Sequence, residues 1–205
     1  MSAMPTFHVR DPLSPAFWDE RFDHRFMPWD RGGVPQALRQ FVAAAAEPLA
    51  CLIPGCGAAY ELAFLCQAGW DATAIDFSPA AVAVARSALG AWSARVLEAD
   101  FFSYQPARPP QLIYERAFLC AMPPAMWSQV VARWAELLAP GALLVGYFFF
   151  DDQPKGPPFG IGRARLDELL LPYFECVEEQ AVSDSIPAFA GKERWMIWRR
   201  RAPSL

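Results

Sequence analysis

At 205 residues, 54% of them hydrophobic and 20% charged, the chain has the length of one ordinary domain with a sizeable core and is too apolar for a disordered or fibrous protein. A formal net charge of −4 gives no general attraction for nucleic acid, so no nucleic-acid partner is expected. No apolar run approaches the ~20 residues of a membrane helix and the first residues lack the apolar segment of a secretory signal, so a cytoplasmic protein with no membrane partner is expected. Five cysteines form no CxxC pair, and His8 and His24 have no second ligand at useful spacing, so no metal is expected.

The first element lies in PAFWDERFDHRFMPWDRGG, Pro15 to Gly33, where Trp18, Phe22, Phe26 and Trp29 recur at spacings that place four rings on one helix face. The stripe precedes the first strand and breaks at Pro28-Trp29-Asp30, which fits an aromatic lid better than a core helix. Such rings could cover a cationic ligand, an attraction worth roughly 0.5 to 2 kcal/mol. Val34 to Ala46 reads as a packing helix with Leu38, Phe41 and Val42 inward.

The organising stretch runs from Leu49 to Asp76. A short apolar run, Cys51-Leu52-Ile53, breaks at Pro54 and turns through Gly55-Cys56-Gly57. A helix with Leu62, Leu65 and Cys66 follows, then a second run, Ala72 to Ile75, ending in Asp76. Strand, glycine turn, helix, strand and terminal acid is the unit that places a nucleotide over the turn, with the acid reaching ribose hydroxyls. A dinucleotide site wants a small residue three positions after Gly57, yet Tyr60 and Glu61 stand there. A ring and an acid suit a diphosphate poorly and tolerate a phosphate-free sulfonium, S-adenosylmethionine. A nicotinamide-dependent oxidoreductase is the rival enzyme class, and a non-catalytic adenosylmethionine-binding protein the third reading.

Ser78-Pro79 starts the next helix, with serine at the cap and proline at the first helical position. A third strand, Ala94 to Leu97, leads to Glu98-Ala99-Asp100-Phe101-Phe102, where Asp100 could accept from an adenine amine and Phe101 stack on its ring; a plain turn carboxylate is the alternative for Asp100. The fourth strand, Leu112 to Tyr114, ends in Glu115-Arg116, either an internal ion pair or a ligand contact. Pro123-Pro124 starts an amphipathic helix through Leu138, and Ala142 to Phe150 is the strongest strand. The stiff loop Asp151 to Gly160 hangs over the same sheet edge, with Phe148 to Phe150 and Phe159 expected on the apolar wall of the site. A helix near Arg163 to Leu171 and two strands, Tyr173 to Val182 and Arg194 to Arg200, close the chain as an antiparallel hairpin, with Arg199 to Arg201 expected as a solvated tail.

The segments FWDERF, PWDRGG, LIPGCGAAYEL, AIDFSP, EADFF, YERAFLCAMPP and KGPPF, in this order and spacing, resemble the thiopurine methyltransferase superfamily, which includes thiol and halide methyltransferases. The resemblance covers Trp18 to about Phe159, with a weaker echo in GKERW at Gly191 to Trp195. It implies an α/β fold: a Rossmann-like class I methyltransferase, with a seven-stranded mostly parallel sheet, an antiparallel C-terminal hairpin and helices on both faces. Residues 1 to 46 would form a helical lid and lead-in to a core over 47 to 205, all in one domain. S-adenosylmethionine would lie over the glycine turn and leave as S-adenosylhomocysteine.

By the same resemblance Trp18 and Trp29 close over the cofactor, with Phe22 at a position that is often tryptophan. Gly55, Cys56 and Gly57 form the turn contact, Asp76 the ribose acid with Phe77 beside it, and Asp100 and Phe101 the adenine pair. Arg116 stands where thiopurine enzymes carry an arginine near the substrate, whereas PWDRGG resembles the thiol and halide branch. The expected reaction is in-line methyl transfer to a small thiol or thiolate, with Trp29 over the methyl and Arg116 holding the nucleophile; halide or thiocyanate is the alternative acceptor. A monomer acting on a small molecule is expected.

Overall fold

The computed structural model describes residues 5 to 202. Its centre is a seven-stranded sheet of β1 (Ala50–Pro54), β2 (Asp71–Asp76), β3 (Val96–Glu98), β4 (Leu112–Arg116), β5 (Leu143–Phe149), β6 (Phe174–Ala181) and β7 (Glu193–Arg200), in the order β3-β2-β1-β4-β5-β7-β6. The strands from β3 to β5 pair in parallel, and β7 is antiparallel to both β5 and β6. The α/β architecture with its closing antiparallel hairpin is the one expected.

Burial on both faces explains the apolar strands. One face packs Leu52, Ile75, Ile113, Leu144 and Met196 under α5 (Trp127–Leu137) and α6 (Arg163–Leu170). The other packs Cys51, Ile53, Tyr114, Val145 and Trp195 beneath α2 (Gln36–Ala44), α3 (Tyr60–Gln67) and α4 (Pro79–Leu89). Adjacent strand residues therefore serve opposite cores, as period-two geometry requires. Chain order runs outward in opposite directions from β1 and β4, so the crevice at their carboxyl ends is the topological switch point, where ligands bind in open parallel sheets.

Several boundaries depart from the sequence expectation. The first helix, α1 (Pro15–Asp23), stops ten residues short of the predicted stretch's end at Gly33, because Arg25 takes a left-handed conformation at φ 53° and the chain turns back. Phe26 leaves the stripe and packs on Phe7, while Trp29 rejoins Trp18 and Phe22 from a loop. Ala94 and Arg95 close a 3₁₀ turn rather than opening β3. The helix expected from Pro123 begins as a 3₁₀ turn and becomes α-helical at Trp127. The arginine tail is a correction: the Arg200 and Arg201 side chains donate to the carbonyls of Ala135 and Phe174 at 2.9 and 2.7 Å, and Arg199 pairs with Glu175. Arg199 and Arg200 thus belong to β7, and the three side chains fasten it to α5 and β6, with Arg199 and Arg201 still exposed to water.

The β4–β5 pairing depends on one missing side chain. Gly146 lies opposite Glu115, and a Cβ at Gly146 would sit 1.9 Å from the Glu115 carbonyl oxygen. Backbone atoms cannot swing aside as a flexible side chain can, so the strands would have to part. Gly146→Ala is expected to lower the unfolding free energy by about 3 kcal/mol, measured by urea denaturation; a loss under about 1 kcal/mol would show that the ladder yields freely.

Candidate active site

The crevice at the switch point is a cavity of about 1100 Å³. Every residue expected to touch cofactor or acceptor, from Trp18 through the glycine turn and Asp76 to Arg116, lines it. Several separate parts of the chain make its walls, and each arrives for a local reason.

The floor is the turn after β1. Gly55 and Gly57 take φ of +59° and +50°, and Ala59 is also left-handed at 55°, so the chain doubles back sharply into α3. A Cβ at Gly55 would lie 2.6 Å from the Phe118 ring, which leaves only glycine room there. Cys56 ties the turn to β2 through its N–H, which donates to the Ile75 carbonyl at 3.1 Å.

Asp76, at the end of β2, is buried and accepts from the Gly57 N–H at 3.1 Å and the Ser78 N–H at 3.0 Å. Burial pushes its carboxyl up to about 6, against the pull of the Ser78, Gly57 and Phe77 N–H groups. Phe77 stands next to it on the cavity wall. Beyond β3, Asp100 is exposed and accepts from the Phe102 N–H, and Phe101 is buried edge-on against Phe118 at 4.8 Å between centroids.

The roof is the amino-terminal arm. Trp18 and Trp29 meet edge to face at 5.5 Å, with Phe22 at 6.2 Å from Trp29. The Trp18 indole N–H donates to the Pro12 carbonyl at 2.8 Å, which sets its ring. Asp19, which carried no signal in the sequence, holds the arm down: its carboxylate accepts from the Ser78 hydroxyl at 2.6 Å and the Ala80 N–H at 3.1 Å. Ser78 in turn caps α4 by accepting from the Ala81 N–H.

The far end holds Arg116. The neighbouring charges Glu115 and Arg116 do not pair, because successive strand residues face opposite sides. Glu115 accepts from the N–H groups of Phe118 and Leu119 on one face. Arg116, on the other, pairs with the buried Glu193 and lies over the rings of Tyr147 at 4.5 Å and Phe189 at 5.7 Å. Phe189 and Glu193 sit in or just after the long β6–β7 connection, where no periodic pattern marks them. Phe148 to Phe150 and Phe159 do not line the cavity, contrary to expectation; Phe148 is core, Phe149 supports Phe189 from behind at 5.3 Å, and Pro157 and Pro158 form the wall instead. Burial raises the thiols of Cys56 and Cys120, both on the wall, so neither stands ready as a thiolate.

This geometry suits S-adenosylmethionine: indole and phenyl faces attract a sulfonium, and a buried carboxylate at the end of β2 can accept from ribose hydroxyls. A family model described as thiopurine S-methyltransferase matches residues 13–201. The chain belongs to the thiopurine S-methyltransferase family.

Its relatives within and around this family span both substrate branches. Thiocyanate methyltransferase 1 of Arabidopsis thaliana is 27% identical over 190 residues, covering 89% of this chain and 84% of that protein. Thiopurine S-methyltransferase of Shewanella loihica is 26% identical over 208 residues, covering 88% and 94%. Among solved structures, Burkholderia thailandensis 1,6-didemethyltoxoflavin-N1-methyltransferase with bound S-adenosylhomocysteine superposes with a TM-score of 0.72 at 19% identity, covering 97% and 94% of the two chains. The chain is thus a methyltransferase of the S-adenosylmethionine-dependent class, with the Rossmann-like fold expected. Among the described residues no helix is long and apolar enough to cross a membrane, and no acid, cysteine or histidine cluster could hold a metal.

The buried acids set the pH response. Burial pushes Glu115 up to about 8, as it pushes Asp76 to about 6, both above their values in an unfolded chain. Between about pH 4 and pH 8 the folded state therefore binds more protons than the unfolded one, and stability falls as pH rises. Urea denaturation should give a lower unfolding free energy at pH 8 than at pH 5, with Glu115→Gln flattening the upper part of that slope; a free energy that rises across the window would contradict these assignments.

Proposed function

We propose that the protein transfers a methyl group from S-adenosylmethionine to a small thiol or thiolate, in the manner of thiopurine and thiol methyltransferases. The observation that carries this reading is the convergence on one cavity of the glycine turn, the Asp76 carboxylate and the Trp18–Trp29 roof, in a chain of this family. S-adenosylmethionine, when bound, supplies a methyl group on a positively charged sulfur.

The chain's own residues do the rest. Gly55, Cys56 and Gly57 let the backbone approach the donor, and Asp76 with Phe77 takes the ribose. Asp100 and Phe101 take the adenine. Trp18, Phe22 and Trp29 cover the cationic sulfur and exclude water, which strengthens every charge interaction beneath them. Arg116 holds the negative sulfur of the acceptor, its guanidinium lying over Tyr147 and Phe189 and oriented by Glu193. Aromatic thiols ionise near neutral pH, so a dedicated base is not required, and positioning supplies most of the acceleration.

A second acceptor class, thiocyanate or halide, is favoured by the likeness to the plant thiocyanate methyltransferase over most of both chains. Labelled S-adenosylmethionine offered with thiophenol, a thiopurine, hydrosulfide, thiocyanate and iodide separates the two; methylated thiols are expected, and no methylated product from any acceptor would contradict the proposal.

Two substitutions test the residue roles. Asp76→Ala should weaken S-adenosylhomocysteine binding roughly 10- to 100-fold by calorimetry, the loss of charge-assisted hydrogen bonds. Arg116→Ala should lower kcat/KM for thiophenol by about tenfold or more while donor affinity changes less. Unchanged values would remove each role.

A further inference from the structure

One buried acid on the cavity wall has no side-chain partner among the described residues. Glu61, on the first turn of α3, is 8% exposed and lines the cavity. Among the described residues no other residue's donor lies at hydrogen-bond distance of its carboxyl. The other acids of the cavity are placed differently: Asp76 accepts from two backbone N–H groups, Asp30 from Gly32 and the Tyr60 hydroxyl, Asp100, exposed to water, from Phe102, and Glu98 is exposed to water. A buried carboxyl without a cation at hydrogen-bond distance is destabilising, and burial raises its proton affinity accordingly. The guanidinium groups of Arg116 and Arg31 act on it through space without bonding to it, and Asp30 opposes them.

A carboxyl kept in that condition, opening on a ligand cavity, is completed by a cation that comes with the ligand. The donor of the proposed reaction carries two positive groups. The aromatic roof answers the sulfonium, and the α-ammonium of the amino-acid arm needs an acid.

We propose that Glu61 is the counter-ion of the donor's α-ammonium group, a binding residue of the donor site. This rests on the function proposed above, and it also accounts for an acid at the start of α3, where a phosphate-binding turn would exclude one.

The test removes one charge from each side. S-adenosylhomocysteine and its analogue lacking the amino group but keeping the carboxylate are titrated calorimetrically into the unaltered protein and into Glu61→Gln. In the unaltered protein the amino group is expected to be worth at least about tenfold in affinity, and in Glu61→Gln that ratio is expected to fall below about threefold. A smaller ratio in the unaltered protein, or one that survives Glu61→Gln, overturns the assignment. The first arm needs no variant, so it stands even if Glu61→Gln folds poorly. Failure of the unaltered protein to bind S-adenosylhomocysteine at all would instead overturn the function on which the assignment rests.

Discussion

The Asp76 carboxylate is the tie on which the site depends. One oxygen holds the Gly57 N–H of the glycine turn and the other holds the Ser78 N–H at the start of α4, so a single buried acid joins the loops at the ends of β1 and β2, beside the Cys56 N–H bond to Ile75. Its burial is energetically unfavourable, as its raised proton affinity shows. That penalty is offset by backbone dipoles that converge on it and, on the function proposed here, by ribose hydroxyls. The same residue thus shapes the floor of the cavity and stands ready for the ligand.

The tie extends to the roof. Ser78 is shared between the cap of α4 and the Asp19 carboxylate of α1, so the aromatic arm is anchored to the helix that begins where Asp76 ends. Trp18 and Trp29 then cross the cavity on a base held by charge-assisted hydrogen bonds. At the other end, the Arg116 and Glu193 pair is stacked between rings and nearly closed to water, which keeps the guanidinium in one orientation. Floor, roof and far wall are each set by a polar contact between residues 19, 59 and 77 positions apart, at least partly shielded from water, rather than by apolar packing alone.

Much of this was legible in the sequence because it is periodic or local. The order of strands and helices followed from apolar runs punctuated by Pro54, Gly55, Ser78-Pro79 and Gly141, and the glycine turn with Asp76 nineteen residues after Gly57 placed the ligand crevice. The aromatic lid was visible as rings at helical spacing, though Trp29 reaches the cluster through a loop and not along α1. What escaped has no local signature. Asp19 is one acid among several on an amphipathic helix, and Phe189 and Glu193 belong to a segment without period. Phe148 to Phe150 read as one apolar run at the end of β5, and only the packing of α6 and the proline loop decides that none of them meets the cavity. Glu115 and Arg116 are adjacent in sequence yet act on opposite faces, a consequence of strand pleat that turns an apparent ion pair into two separate contacts.

On the function proposed here, one cationic donor lies along the carboxyl ends of β1 and β2 beneath the indoles of the arm. A crystal structure of the protein with S-adenosylhomocysteine is the decisive experiment. Ribose hydroxyls on the Asp76 carboxylate, the thioether sulfur under Trp29 and the glycine turn in contact with the ligand are expected. A ligand bound elsewhere, or Trp29 turned away into the core with that crevice empty, would contradict it.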